Sequence, residues 1–245
     1  MGHAANEHAV EWTSDGEARL SPAANWLWFA PAIGRSSALV IGEIAPSYLR
    51  GLSIHFERIE KIPIASLHQA VAGSDATALG GALAAFGEGS MDCVISMDLV
   101  RGWSDSTQSP FRDPKFVAVL QQLRRVLRPG GVLFLSGENA RWHRALLRWR
   151  AGEHARSGPA GRTGAALHLG TARKVLAGTG FLETRAYFVE PSAGDVATVV
   201  PACRRAARAY ERERLPRTNV RWRALWAAGG LYEYLYPDVF VLAIA

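Results

Sequence analysis

Four side chains able to accept or move a proton stand just beyond apolar runs: Asp75, Asp98, Glu138 and His143. Carboxylates and an imidazole gathered in one crevice can hold amino or hydroxyl groups and take protons from them near neutral pH. Each also has a plainer reading. Asp75, in Gly73-Ser-Asp-Ala76, can cap a helix that begins near Ala76. Asp98 can be a surface loop acid, and His143 an exposed polar residue in an Arg- and Trp-rich helix. His168 precedes a helix start and reads as a cap or a substrate contact, whereas His55 alternates with apolar neighbours and reads as structural. Neither Cys93, inside a Val-Ile run, nor Cys203 has the neighbours of a metal site.

These groups share a crevice only if strands and helices alternate. Val10 to Ala18, with Asp15-Gly16 as its turn, has the pattern of a short hairpin. Pro22 to Pro31 encloses a short apolar helix candidate. Ala38-Leu-Val-Ile-Gly42 is a short β-rich run ended by glycine, and Ser53 to Ile59 alternates as a second strand. A short helix fits Pro46 to Leu52, and Ser66 to Gly73 fits either a helix or a third strand. Met91 to Met97 reads as a strand. Pro114 to Leu127 reads as a helix with Phe116, Val117, Leu120, Leu123, Val126 and Leu127 on one stripe. Pro129-Gly130-Gly131 stops it and turns the chain into a strand at Val132 to Leu135. Residues 150–164 carry Gly, Arg and Ser punctuation and suit a loop or a lid. Further helices are expected at Thr171 to Ala177, Pro201 to Leu215 and Trp222 to Tyr236, the last interrupted at Gly229-Gly230. Strands are expected at Phe181 to Val189 and Val239 to Ala245.

The fold class that follows is α/β, a doubly wound, mostly parallel sheet of up to seven strands with helices on both faces. Its expected organisation is one domain: an N-terminal extension over 1–35, a core over 36–190, an aromatic-rich helical cap over 191–238 and a closing strand over 239–245. In such sheets ligands bind beyond the carboxyl ends of the strands, where strand order reverses. That constraint gathers Asp75, Asp98, Glu138 and His143 on one crevice.

Composition narrows the function classes. The chain has 245 residues, 49% hydrophobic and 20% charged, which excludes disorder throughout. No apolar run approaches the ~20 residues of a bilayer span. Met1 to Glu11 lacks the basic region and apolar core of a secretory signal, so a cytoplasmic protein without a membrane partner is expected. The net charge is +6, and arginines cluster after residue 140 and again over 204–214. Those cations can meet phosphates, or form a solvated helix face interleaved with Glu211 and Glu213. Nucleic acid is not the expected partner.

Taken together, Asp75-Ala-Thr, Asp92-Cys-Val-Ile-Ser96-Met-Asp98, Leu127-Arg-Pro-Gly-Gly131 and Gly178-Thr-Gly-Phe181 resemble class I S-adenosylmethionine (SAM) methyltransferases, of the kind called methyltransferase type 11. The resemblance covers about residues 36–190. It implies SAM as cofactor, with Asp75 accepting from the adenine amino group and Ala76 flanking the ring. Ser96 and Asp98 would lie near the methyl donor, and Gly42 and Glu43 in the first loop. Glu57 is the implied holder of the ribose hydroxyls, with Glu60 as fallback. Asp98 and His143 are the implied catalytic bases where an acceptor needs deprotonation. The two Gly-rich junctions are structural.

The first loop departs from the family pattern. Three glycines spaced two apart are usual, and only Gly42 remains, with Ile44 and Pro46 in the other places. Glycine there lets backbone approach the cofactor with no Cβ in the way. Two functions therefore stand side by side: a SAM-dependent methyltransferase for a small-molecule or peptide natural product, and a non-catalytic methyltransferase-like binding or scaffold protein. Trp222, Trp226, Tyr232, Tyr234 and Tyr236 either pack in the core or, with Trp26, Trp28 and Trp103, cap a pocket for an apolar substrate.

Overall fold

A computed structural model describes residues 10–12, 18–20, 36–42, 49, 52–53, 55–63, 81–97, 99–103, 110–141, 166–192, 195–214 and 221–245. Strands β1 (Val10–Trp12) and β2 (Ala18–Leu20) pair antiparallel, as the Asp15-Gly16 signal requires. The main sheet begins with β3 (Ser37–Ile41), every residue of which is buried. On one side β3 pairs in parallel with β4 (Arg58–Ile62), and on the other with β5 (Met91–Ser96). Strand β6 (Leu127–Asn139) lies parallel to β5, and the two-residue β7 (Ala166–Leu167) pairs with the end of β6.

The remaining strands are β8 (Glu183–Ser192), β9 (Asp195–Pro201) and β10 (Asp238–Ile244). The order along the sheet is β4-β3-β5-β6-β10-β8-β9. β10 is inserted between β6 and β8 and runs against both, and β9 runs against β8. The β4 to β6 half is parallel, as expected; the other half is antiparallel. β9 comes next after β8 in sequence and pairs with it as far as Ser192 opposite Asp195.

Helices form where apolar spacing meets a start signal. The short α1 (Leu99–Gly102) follows β5, and a single 3-10 turn occupies Pro110–Arg112. In α2 (Pro114–Val126), Asp113 caps the first turn by accepting from the Lys115 N–H at 2.8 Å, and Pro114 opens the helix. Its stripe buries Phe116, Val119, Leu120, Leu123 and Val126. The helices α3 (Leu169–Gly178), α4 (Arg204–Arg214) and α5 (Arg221–Ala228) follow, then a 3-10 turn at Tyr232–Tyr234.

Two apolar clusters sandwich the sheet. One holds Leu39, Ile41, Leu133, Leu135, Val239 and Val241 with α2 to α5, and the other holds Ala38, Val40, Cys93, Ile95, Phe134 and Phe240. Alternate residues of each strand feed opposite clusters, which is the period-two rule of a strand buried on both faces.

The second strand starts later than the alternation over Ser53 to Ile59 predicts. Residues 52, 53 and 55 are helical, and the Phe56 N–H donates to the Leu52 carbonyl at 2.9 Å. Leu52 and Phe56, one helical turn apart, both enter the second cluster. Burying that pair overrides the local alternation, and the strand forms over Arg58–Ile62 instead.

The Pro129-Gly130-Gly131 turn also differs in form. Rather than reversing the chain outside the sheet, it bulges the start of β6: Met91 pairs with Leu127 and Cys93 with Val132. Gly130 has φ of 77°, and its N–H donates to the Ala245 carbonyl at 2.8 Å. A Cβ on Gly131 would stand 2.9 Å from the Arg128 carbonyl oxygen and 3.0 Å from that of Asp92. Asp92 holds this amino edge together: its carboxylate accepts from the N–H groups of Ser36 and Ser37 and pairs with Arg128.

Candidate functional site

The chain leaves β3 for β4 on one side and later returns to β5 on the other, so strand order reverses between β3 and β5. This is the position at which open α/β sheets bind ligands. At its carboxyl edge Ile41 pairs with Ser96, and Gly42 follows with φ of 100°. A residue bearing a Cβ is strained at that φ, so glycine is required there by the backbone itself.

Ser96 is fully buried, and its hydroxyl is engaged twice within the scaffold. It donates to the Ile41 carbonyl at 3.0 Å and accepts from the Leu99 N–H at 3.1 Å. It thus locks the ends of β3 and β5 together and starts α1. Ser136 repeats the device one strand further on, donating to the Met97 carbonyl at 2.5 Å. Gly137 allows β6 to approach α1 and β7; a Cβ there would lie 3.1 Å from both Val100 and Leu167. Asn139 closes the row: its amide donates to the carbonyls of Glu233 and Tyr236 at 2.6 and 2.9 Å. The edge is therefore a fixed rim, its strand ends tied by buried side chains.

Two carboxylates stand on this rim. Asp238 opens β10 directly opposite Glu138 of β6. Alternation puts both, with Ser136, on the sheet face that carries Phe134 and Phe240. A facing pair of acids can orient an amino or hydroxyl group and accept its proton. One residue beyond β7, His168 holds the N-cap position of α3, as its place before a helix start suggests, but its side chain makes no capping bond. Partial burial first, then the charges of Arg141 and Arg112, hold its imidazole below the ordinary value. A neutral imidazole at the rim is able to accept a proton.

Of the residues singled out by sequence, the structure brings Gly42 and Ser96 together with Glu138 on the carboxyl edge. Glu57 is not with them. It precedes Arg58, at the amino end of β4, exposed to solvent. Five residues of strand, roughly 16 Å, separate it from the level of Gly42. The assignment to ribose hydroxyls is corrected accordingly, and the reason is the late start of β4. Glu60 lies mid-strand, and the carboxyl end of β4 presents Ile62 and Pro63. Glu43, Asp75, Ala76, Asp98 and His143 lie outside the described residues, as do Ile44, Pro46, Trp26, Trp28 and residues 66–73 and 150–164.

The aromatic residues divide. Trp103 is buried, its ring NH bonded to Asp113 at 2.8 Å and its ring edge-on to Phe116. Tyr236 is buried and stacked on Phe188. These serve the core, not a substrate cap. Asn139, Ser136 and Asp238 escaped the sequence reading. The one available signal was a polar residue at each end of an apolar run, which does not reveal that β10 and β6 meet end to end.

Sheet order, switch point and the antiparallel insertion of β10 define a Rossmann-like class I methyltransferase fold. No family model matches the sequence, and no curated protein matches it. Among solved structures, a SAM-dependent methyltransferase from Archaeoglobus fulgidus is similar at 14% identity over 91% of this chain and 92% of that one, with a TM-score of 0.51. The cyclopropane synthase MmaA2 from Mycobacterium tuberculosis is similar at 14% identity over 95% and 87%, with a TM-score of 0.52.

Proposed function

We propose that the chain is a SAM-dependent methyltransferase acting on a small molecule or a peptide natural product, in a cytoplasmic biosynthetic role. The observation that carries this reading is Gly42, held at φ of 100° beside the Ile41–Ser96 junction at the switch point. Residues there fit the donor: backbone without a Cβ meets it, and the buried serines keep the two strand ends from moving apart. When bound, SAM supplies a methyl group on sulfonium that an acceptor takes by direct displacement. Gly42 and Glu43 line the donor, Asp75 and Ala76 hold the adenine, and Asp98 or His143 accepts a proton where the acceptor carries one. Glu138, Asp238 and His168 orient the acceptor from the β6 side. Holding the two reactants in line and excluding water supplies most of the acceleration.

A second reading has its own observation. Ile62 and Pro63 end β4 where an acid for the ribose belongs, and Ile44 and Pro46 replace two glycines. This supports a binding protein that keeps the fold without methyl transfer. Calorimetry with SAM and with S-adenosylhomocysteine separates the two. Saturable heat at micromolar ligand is expected; none at millimolar ligand overturns the transferase reading and leaves the second.

A further inference from the structure

Helices α4 and α5 pack side by side over one face of the sheet. Ala207 of α4 and Ala227 of α5 are both fully buried in the same apolar cluster, so the opposite faces of both helices turn outward together. Two arginines of this region are used internally. Arg204 donates to the Ala228 carbonyl, and Arg223 turns in toward Glu211 and Glu190. Three are not: Arg205, Arg208 and Arg212 form one exposed stripe on α4 and make no ion pair with any described residue. Glu213 is the exposed acid beside them.

The neighbouring outer face of α5 is apolar. Trp222 is 40% exposed, Leu225 71%, and Leu231, just past the helix, 45%. Trp226 stands edge-on to Trp222 at 5.1 Å. Single exposed apolar residues need no explanation, but three large ones around one short helix, flanked by a row of guanidiniums, make a specific surface. Arginines beside Trp and Leu match a bilayer interface, where cations meet anionic headgroups and the rings and leucines enter the acyl boundary. A nucleic acid would use the arginines and leave Leu225 and Leu231 in water.

We propose that the outer face of α4 and α5 docks the protein onto an anionic lipid bilayer, through Arg205, Arg208 and Arg212 with Trp222, Leu225 and Leu231. The expectation of no membrane partner rested on the lack of a spanning run; docking in the interface plane needs none. α4 and α5 cover the sheet face opposite the one that carries Glu138 and Asp238, so docking would leave that face of the rim open. Docking is independent of whether the candidate site transfers a methyl group.

Co-sedimentation with vesicles of phosphatidylcholine, with and without phosphatidylglycerol, tests the proposal. Binding is expected only with phosphatidylglycerol, weakening with salt, together with a blue shift of tryptophan emission. Replacing Arg205, Arg208 and Arg212 together with alanine is expected to lower affinity on the order of 100-fold, at a cation contribution of ~1 kcal/mol each. Leu225→Ser is expected to lower it about tenfold. All four positions are exposed, and unchanged melting temperatures confirm intact folding. Equal binding to both vesicle types overturns the proposal, as does no binding, or binding that survives the triple replacement. Binding to duplex DNA that is lost in the triple variant and indifferent to Leu225→Ser, with no vesicle binding, assigns the surface to nucleic acid instead.

Discussion

Replacing Glu211 with methionine strips Arg223 of its main partner inside the interface between α4, α5 and β8. Glu211 is 3% exposed and the Arg223 side chain 16%. The guanidinium makes bonds of 2.8 to 3.1 Å to both oxygens of Glu211 and one of 2.7 Å to Glu190. The Tyr236 hydroxyl donates to Glu211 at 3.1 Å, and the Tyr236 ring lies 5.5 Å from the guanidinium carbon. Breaking a buried pair from one side costs about 3–5 kcal/mol, because the other charge stays desolvated. Arg223 retains Glu190, which puts the expected loss at the low end, about 3 kcal/mol. For a chain of this size that lowers the melting temperature by about 6–12 °C. Removing both partners, Glu211→Met with Arg223→Met, leaves no stranded guanidinium and is expected to cost about 2 kcal/mol less than the two single losses added. Urea denaturation of the four proteins measures this cycle. A single-variant loss under about 1 kcal/mol, or strict additivity, refutes the claim that these groups form one buried network.

Gly131→Ala is expected to cost about 1–3 kcal/mol by forcing the bulge against the Arg128 and Asp92 carbonyls, read as a lowered urea midpoint; an unchanged midpoint means the bulge yields freely. His168 has a lowered pKa in the folded chain, so on acidification the unfolded state takes the proton first. Stability present above about pH 6.5 therefore declines as pH falls below it toward the folded-state value, and His168→Gln is expected to reduce that decline. Parallel acid-side losses in wild type and variant refute this. Cys203 is exposed, while burial first and the Asp92 charge second push the Cys93 thiol far up. One thiol is expected to react with an aromatic disulfide reagent in the native protein and the second only on unfolding.

The parallel half of the sheet was legible because each element carries its own signal. Ala38–Ile41 and Cys93–Ile95 are continuous apolar runs, and α2 couples a Pro114 start to a regular stripe. Gly42 could be located because it ends the β-rich run that begins at Ala38. The antiparallel half was not legible, since the apolar run of Asp238–Ile244 fits any buried strand and says nothing about its neighbours. Without that placement, Asp238 could not be set opposite Glu138. Glu57 was misplaced for a related reason: alternation over Ser53 to Ile59 satisfies the strand pattern, but the Leu52–Phe56 contact needs three-dimensional packing to be seen. Glu211 illustrates the same limit. Beside arginines in one helix it reads as a partner within that helix, whereas its real partner is Arg223 on the next.

The position of β10 has a consequence for how the molecule is made. It follows β8 and β9 in sequence, yet it sits between β6 and β8 and bonds to both along its whole length. Until it emerges from the ribosome, β6 and β8 each present a bare apolar edge with unpaired backbone groups. The half-sheets cannot join early, and a nascent chain stalled short of residue 238 offers two sticky margins to other chains. Chaperone dependence is therefore expected to concentrate in the interval before β10 docks between them.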